Sequence, residues 1–185
     1  MVRQFDARAI PHDVLDRILE SGLHAPSAGF AQGVDLVVLD DVASVQRFFA
    51  LVDPRGRKKA TAAPPAAVVV VVADKSAYLR RYSEPDKAGL GMHVEQGWPV
   101  DYWDLDAAMA AMLMLLAAVD EGLGGWFFGL FNGEQDVREW LRIPAHARPI
   151  GALAFGYPAG DERPRGSALT HRRRPIDEVV HRGGW

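Results

Sequence analysis

Residues Ala66 to Ala73 read AAVVVVVA, with five consecutive valines at their centre. β-Branched side chains lose rotamer freedom in a helix and pack well on a pleated surface, so this run reads as a strand. Successive strand residues point to opposite faces. An uninterrupted apolar run therefore predicts a strand covered on both sides, and the rest of the chain has to supply a layer above it and a layer below.

Helices are available for both layers. Pro11 to His24 fits an amphipathic helix, with Val14, Leu15, Ile18, Leu19 and Leu23 recurring at three- and four-residue steps behind an initial proline. Val34 to Leu39 (VDLVVL) reads as a strand and Val42 to Val52 as a short helix. Asp104 to Glu121 is apolar on every side between acidic ends, which predicts burial in a core or at a subunit interface. Gly122-Leu123-Gly124-Gly125 ends that helix, and Trp126 to Phe131 (WFFGLF) reads as a strand. Gln135 to Leu141 is a short helix closed by Pro144, and Ile150 to Tyr157 is a final core strand.

The connections differ in kind. Gly56 to Pro65 is a polar loop ending on two prolines, where the chain changes direction. Residues 78–103 mix charge, glycine and aromatics, and a connection of that length suits a helix fragment followed by a lid or substrate loop. Residues 159–185 form an arginine-rich tail. Four strands alternating with helices predict one α/β or α+β domain over residues 1–185.

Several chemistries are disfavoured. With no cysteine there is no thiol nucleophile, thiolate metal site or disulfide. The six histidines make no HxH or HExxH pattern, Ser27 lies in no GxSxG elbow, and no Walker lysine follows a glycine loop. A net charge of −3 gives no general reason to expect nucleic acid. Arg163, Arg165, Arg172, Arg173, Arg174 and Arg182 nevertheless form a local basic cluster suited to a phosphate, or else a solvated tail. The longest uncharged apolar stretch, Ala107 to Val119, falls short of the roughly 20 residues that cross a bilayer. The first ten residues lack the apolar core of a signal peptide. A cytoplasmic protein without membrane or nucleic-acid partners is the expectation.

What remains is a chain poor in acid–base machinery and rich in glycine, aromatics and arginine, which suits chemistry carried by a bound cofactor. The loop Ala25 to Gly33, APSAGFAQG, holds no titrating residue at all.

Four segments, in order, resemble the FMN-dependent nitroreductase family: VRQF at Val2 to Phe5, APSAGFAQ at Ala25 to Gln32, DEGLGGWFFG at Asp120 to Gly129, and FGYP followed by RRRPIDEVVH at Phe155 to His181. The resemblance implies an α+β fold whose mixed, mainly antiparallel sheet is wrapped by helices, in a homodimer with two interfacial FMN sites. It places Pro26, Ser27 and Ala28 in the loop that meets the isoalloxazine ring from the partner subunit. It sets the backbone N–H of Gly129 near the flavin N5, and Arg3, Arg172 and Arg173 on the FMN phosphate. A guanidinium fork suits a phosphate dianion, and an N–H aimed at N5 needs no titrating side chain. A small residue at position 29 lets backbone approach a planar ring. The implied activity is hydride transfer from NAD(P)H to a nitroaromatic, quinone or enone.

The chain departs from the family pattern at three places. The arginine pair and helix that usually precede the residues matching Val2-Arg3 are absent, which is expected to reflect a late start. A chain that lacks those donors would bind FMN weakly, leaving a flavin-poor, non-catalytic dimer as one alternative. Phe30 stands where many members carry asparagine, and its GF-x-Q form, with Gln32, is similar to dimethylbenzimidazole synthase, which spends reduced FMN with oxygen. That relative has serine at the position of Gly129, which argues against the same chemistry. Finally, WPVDYW at Trp98 to Trp103 is an aromatic cluster. Trp98, Tyr102 or Trp103 either lines the pocket above the flavin or packs the loop onto the core.

Overall fold

The protein was analysed as a computed structural model that describes residues 1–53, 63–160 and 170–185. Most of the loop expected over Gly56 to Pro65, together with Arg163 and Arg165, lies outside the described residues.

The valine run forms strand β2 (Ala67–Asp74), buried along its whole length. It lies between β1 (Val34–Leu39) and β4 (Ala147–Gly156), and β3 (Gly124–Phe128) closes the far edge in the order β1-β2-β4-β3. Each pairing is antiparallel, so the mixed character expected of the sheet is not found among the described residues. The pleat divides the valines as anticipated: Val68, Val70 and Val72 enter one core, Val69 and Val71 the other. Full burial of one such side chain stabilises the fold by about 1.5–3 kcal/mol. A charged substitution at any of them would break a layer.

Helices α2 (Val42–Val52) and α5 (Glu134–Leu141) cover the first face with Phe48, Val52 and Val137. Asp41 starts α2 by accepting the Ser44 N–H at 2.9 Å, satisfying one of the unpaired donors of the first turn. Helices α1 (His12–Leu23), α3 (Lys75–Arg81) and α4 (Tyr102–Asp120) cover the second face. Helices α1 and α4 cross closely at Gly22, where a Cβ would come within 3.0 Å of Met114 Cγ. Leu23, expected on the apolar face of α1, is exposed at its end.

The buried helix is buried on one side only. Trp103, Ala107, Ala110, Ala111, Met114 and Ala118 of α4 face the core. Leu105, Met109, Met112, Leu116 and Val119 are exposed. Their spacing of four, three, four and three residues is that of an apolar seam. By length and composition α4 could cross a membrane, but its inner face is committed to the protein core.

Several boundaries differ from the sequence expectation, among them the start of β4 at Ala147 and the end of β3 at Phe128. The helix fragment expected at the start of residues 78–103 is α3, which begins earlier, at Lys75, and α4 begins at Tyr102. Strand β3 starts at the glycine pair that was expected only to end the helix. Close packing explains the pair: a Cβ on Gly124 would stand 2.5 Å from Val2, and one on Gly125 would stand 2.7 Å from Leu115.

Candidate functional site

The amino-terminal segment is sewn to the sheet end. The Val2 N–H donates to the Gly125 carbonyl at 3.0 Å, and the Asp6 N–H to the Tyr157 carbonyl at 2.9 Å. Phe5 is buried and bridges Ala63 and Pro158. These contacts set Arg3 beside edge strand β3, its guanidinium carbon 5.4 Å from the centre of the Trp126 ring.

Gly129 follows the other end of the same strand. From Gly125 to Gly129 the chain rises about 13 Å if extended throughout. The side of Gly129 that a Cβ would occupy meets the Phe131 ring at 3.0 Å, and Phe131 is 89% exposed. The sequence reading placed Phe131 inside a strand. Its exposure beside Gly129, which has no Cβ, makes it an additional candidate for the site.

The loop Ala25 to Gly33 turns through a 3₁₀ segment at Ala28–Phe30. Gly29, Phe30 and Gln32 have φ of 61°, 58° and 51°. Left-handed backbone is uncommon for residues bearing a Cβ and costs about 1–3 kcal/mol each. The Phe30 N–H donates to the Ser27 carbonyl at 2.9 Å, the Ala31 N–H to the Ala28 carbonyl at 3.1 Å, and the Gln32 N–H to Ser27 Oγ at 3.1 Å. Pro26, Phe30 and Gln32 face outward, Phe30 with 74% of its surface exposed. Gly29 does permit close approach to a planar ring, but within this chain the ring is that of Tyr82, 2.7 Å from where a Cβ would stand.

Two side chains outside the loop bond to it. The Ala28 N–H donates to Asp106 Oδ2 at 2.8 Å, and Arg81 Nε donates to the Gly29 carbonyl at 2.8 Å. Asp106 is 2% exposed, and the same Oδ2 accepts the Tyr78 hydroxyl at 2.7 Å. Burial, then the bond to Asp106, raises the Tyr78 pKa well above the ordinary phenol value, so the hydroxyl stays a donor. Sequence reasoning missed Asp106, Tyr78 and Arg81. The available signal was a carboxylate set inside the apolar α4 sequence, since buried acids are rare unless paired.

The aromatic cluster divides. Trp98 and Trp103 are nearly covered and pack edge-on against Tyr78, and the Trp98 indole N–H donates to the Met92 carbonyl at 2.7 Å. Tyr102 reaches solvent. Trp103 also lines a cavity of about 290 Å³, with Lys75, Glu95, Asp101, Arg138 and Arg148. Two of its cations are paired: Lys75 meets Glu95 at 2.6 Å, and Arg148 meets Asp104.

Arg172 and Arg173 lie on an exposed tail whose described hydrogen bonds are local, such as Arg174 Nη2 to the Glu178 carbonyl at 2.6 Å. One chain alone does not gather Arg3, Arg172 and Arg173 into a buried phosphate site.

The sequence pattern of the nitroreductase family matches residues 1–157. An NADPH-dependent oxidoreductase of Staphylococcus aureus (strain USA300) is 29% identical over 181 residues, 97% of this chain and 68% of that protein. An NADPH:FMN oxidoreductase from Vibrio harveyi, solved in complex with NAD⁺, superposes with a TM-score of 0.72 at 22% identity, covering 100% of this chain and 73% of the other. An FMN-dependent nitroreductase from Clostridium difficile superposes at 0.68 with 19% identity, covering 100% and 94%.

Proposed function

The chain belongs to the nitroreductase family, and from that membership we propose that it is an FMN-dependent oxidoreductase. It oxidises a reduced nicotinamide and reduces a small acceptor: a nitroaromatic, a quinone or an enone. The observation that carries this reading is edge strand β3, with the cation of Arg3 over the ring of its central residue Trp126 and Gly129, which has no Cβ, just beyond its end.

The residues fit the cofactor. Arg3 offers a guanidinium to a phosphate, and Arg172 and Arg173 would add two more from the tail. Gly129 offers backbone without a Cβ, flanked by the exposed Phe131 ring. Pro26, Ser27, Ala28, Phe30 and Gln32 offer a second surface of backbone and one apolar ring. Bound FMN would supply the hydride chemistry between donor and acceptor.

The protein's own contribution is position. Arg3 would anchor the charged end of the cofactor, and the Gly129 N–H would present a backbone dipole toward its ring. Phe30 and Phe131 exclude water from an apolar site open to many flat acceptors. Tyr102 is the aromatic of its cluster with surface left for a substrate; Trp98 packs against it, and Trp103 packs against Trp98. No side chain is required as a catalytic base.

The exposed seam of α4 supports a homodimer. Leu105, Met109, Met112, Leu116 and Val119 would be covered by a second copy of the same helix. Loop 25–33 and the tail would then be free to serve the partner's cofactor. The Staphylococcus aureus relative is named for NADPH, which favours that donor.

The test is direct. Purified protein saturated with FMN should show a flavin spectrum that NADPH bleaches anaerobically and that a nitroaromatic or quinone restores. Release of a benzimidazole from reduced FMN in air would instead establish the oxygen-dependent chemistry suggested by Phe30 and Gln32. Absence of flavin binding would leave a non-catalytic dimer.

A further inference from the structure

Loop 25–33 carries three left-handed residues, at Gly29, Phe30 and Gln32, and two of them bear a Cβ. Its internal hydrogen bonds close turns, but turns of other types would satisfy the same donors with less steric conflict. The left-handed form therefore needs a cause outside the loop. Two side chains from two different helices reach it: Asp106 of α4 takes the Ala28 N–H, and Arg81 of α3 donates to the Gly29 carbonyl.

Neither side chain is free to swing. Asp106 Oδ2 also holds the Tyr78 hydroxyl, and the Tyr78 ring is wedged edge-on between Trp98 and Trp103, with ring centres 5.9 and 6.1 Å away. Arg81 is locked by Asp86, which takes Nη1 at 2.7 Å and Nη2 at 2.6 Å, and by Glu84, at 2.9 Å from Nη1. That arrangement leaves Nε for the loop. Tyr82 lies against Gly29 from the same side.

We propose that Asp106 and Arg81 are positioning residues that clamp loop 25–33 in its left-handed conformation and so present Pro26, Phe30 and Gln32 outward. The consequence for flavin binding rests on the function proposed above, whereas the clamp itself does not. A loop ordered in advance binds a ligand without the entropic cost of ordering, so loss of the clamp appears as loss of affinity.

Amide hydrogen exchange tests the clamp without any cofactor. In Asp106→Ala the amides of Ala28, Phe30 and Ala31 should exchange at least about tenfold faster than in the native protein, while the β2 amides keep their protection. Asp106→Asn, which keeps an acceptor oxygen, should restore most of the protection. Arg81→Met alters a partly exposed side chain and serves where Asp106→Ala does not fold; it should accelerate the same three amides several-fold. Unchanged exchange of these amides in both Asp106→Ala and Arg81→Met would overturn the clamp. FMN titration by fluorescence is the second readout, with an expected loss of roughly tenfold in Asp106→Ala and recovery in Asp106→Asn. If the native protein binds FMN and Asp106→Ala binds it equally, the positioning role is overturned. If the native protein binds no FMN, the flavin reading fails and the exchange data alone decide the clamp.

Discussion

The guanidinium of Arg3 covers the ring of Trp126, 5.4 Å from carbon to ring centre, and so pins the amino-terminal segment to edge strand β3. The same cation is the candidate phosphate ligand. Arg3→Met should weaken FMN binding by about ten- to a hundredfold, the loss of one charge-assisted contact of roughly 1.5–3 kcal/mol. Riboflavin, which has no phosphate, should bind both proteins alike in the same fluorescence titration.

Gly129→Ala separates folding from the site. The atoms nearest the new methyl belong to the Phe131 ring, whose exposure lets it turn away. The unfolding free energy from denaturant titration should change by no more than about 0.5 kcal/mol. FMN affinity should fall, because the methyl and the Phe131 ring it displaces would stand between the backbone and the candidate ring site.

Gly33→Ala should do the reverse, acting on stability. Its Cβ would stand 2.5 Å from Tyr78 Cε2 and 2.7 Å from the Asp74 carbonyl oxygen, and neither neighbour can move, since Tyr78 is fully buried. Urea unfolding should report a loss of about 1–3 kcal/mol.

The α4 seam predicts an oligomer that charge will split. Leu116→Glu places a carboxylate in the middle of the exposed apolar stripe. Sedimentation velocity should show a dimer for the native protein and a monomer for the variant, with FMN affinity falling alongside. A native monomer at micromolar concentration would remove the dimer from the proposal.

Asp74 predicts an acid limb of stability. Burial opposes its ionisation, but the Ser76 hydroxyl and N–H, with help from Arg80, outweigh burial and hold its pKa below 3.8. A carboxylate with a lowered folded-state pKa contributes stability above its unfolded value, and that contribution is lost as pH falls through the folded one. Asp74→Ala, which also removes the cap of α3, should cost about 1 kcal/mol at pH 7. The gap between variant and native protein should narrow as pH falls below about 4.

Most of the fold was legible from local pattern. The valine run, the strand Val34–Leu39 and the helix Val42–Val52 appear where expected, because each carries its period within its own residues. Gly124 and Gly125 were misread as a helix terminus and nothing more, since their strand role depends on Val2 and Leu115 packing against them. Of the candidate site, the loop was legible by its lack of titrating groups, and Gly129 and Arg3 by resemblance. The grip of Asp106 on Ala28 was not legible: the two are 78 residues apart, and no local period records such a pairing.

Sequence alone therefore determined which segments are strands and helices and which faces must be covered, because periodicity and side-chain shape act within a few residues. Only the tertiary structure decided that α4 keeps one apolar face uncovered, that Trp98 and Trp103 serve the core while Tyr102 reaches solvent, and that loop 25–33 is bonded to two helices. Those outcomes depend on which distant surfaces meet, and burial and hydrogen bonding acquire their value only once they do.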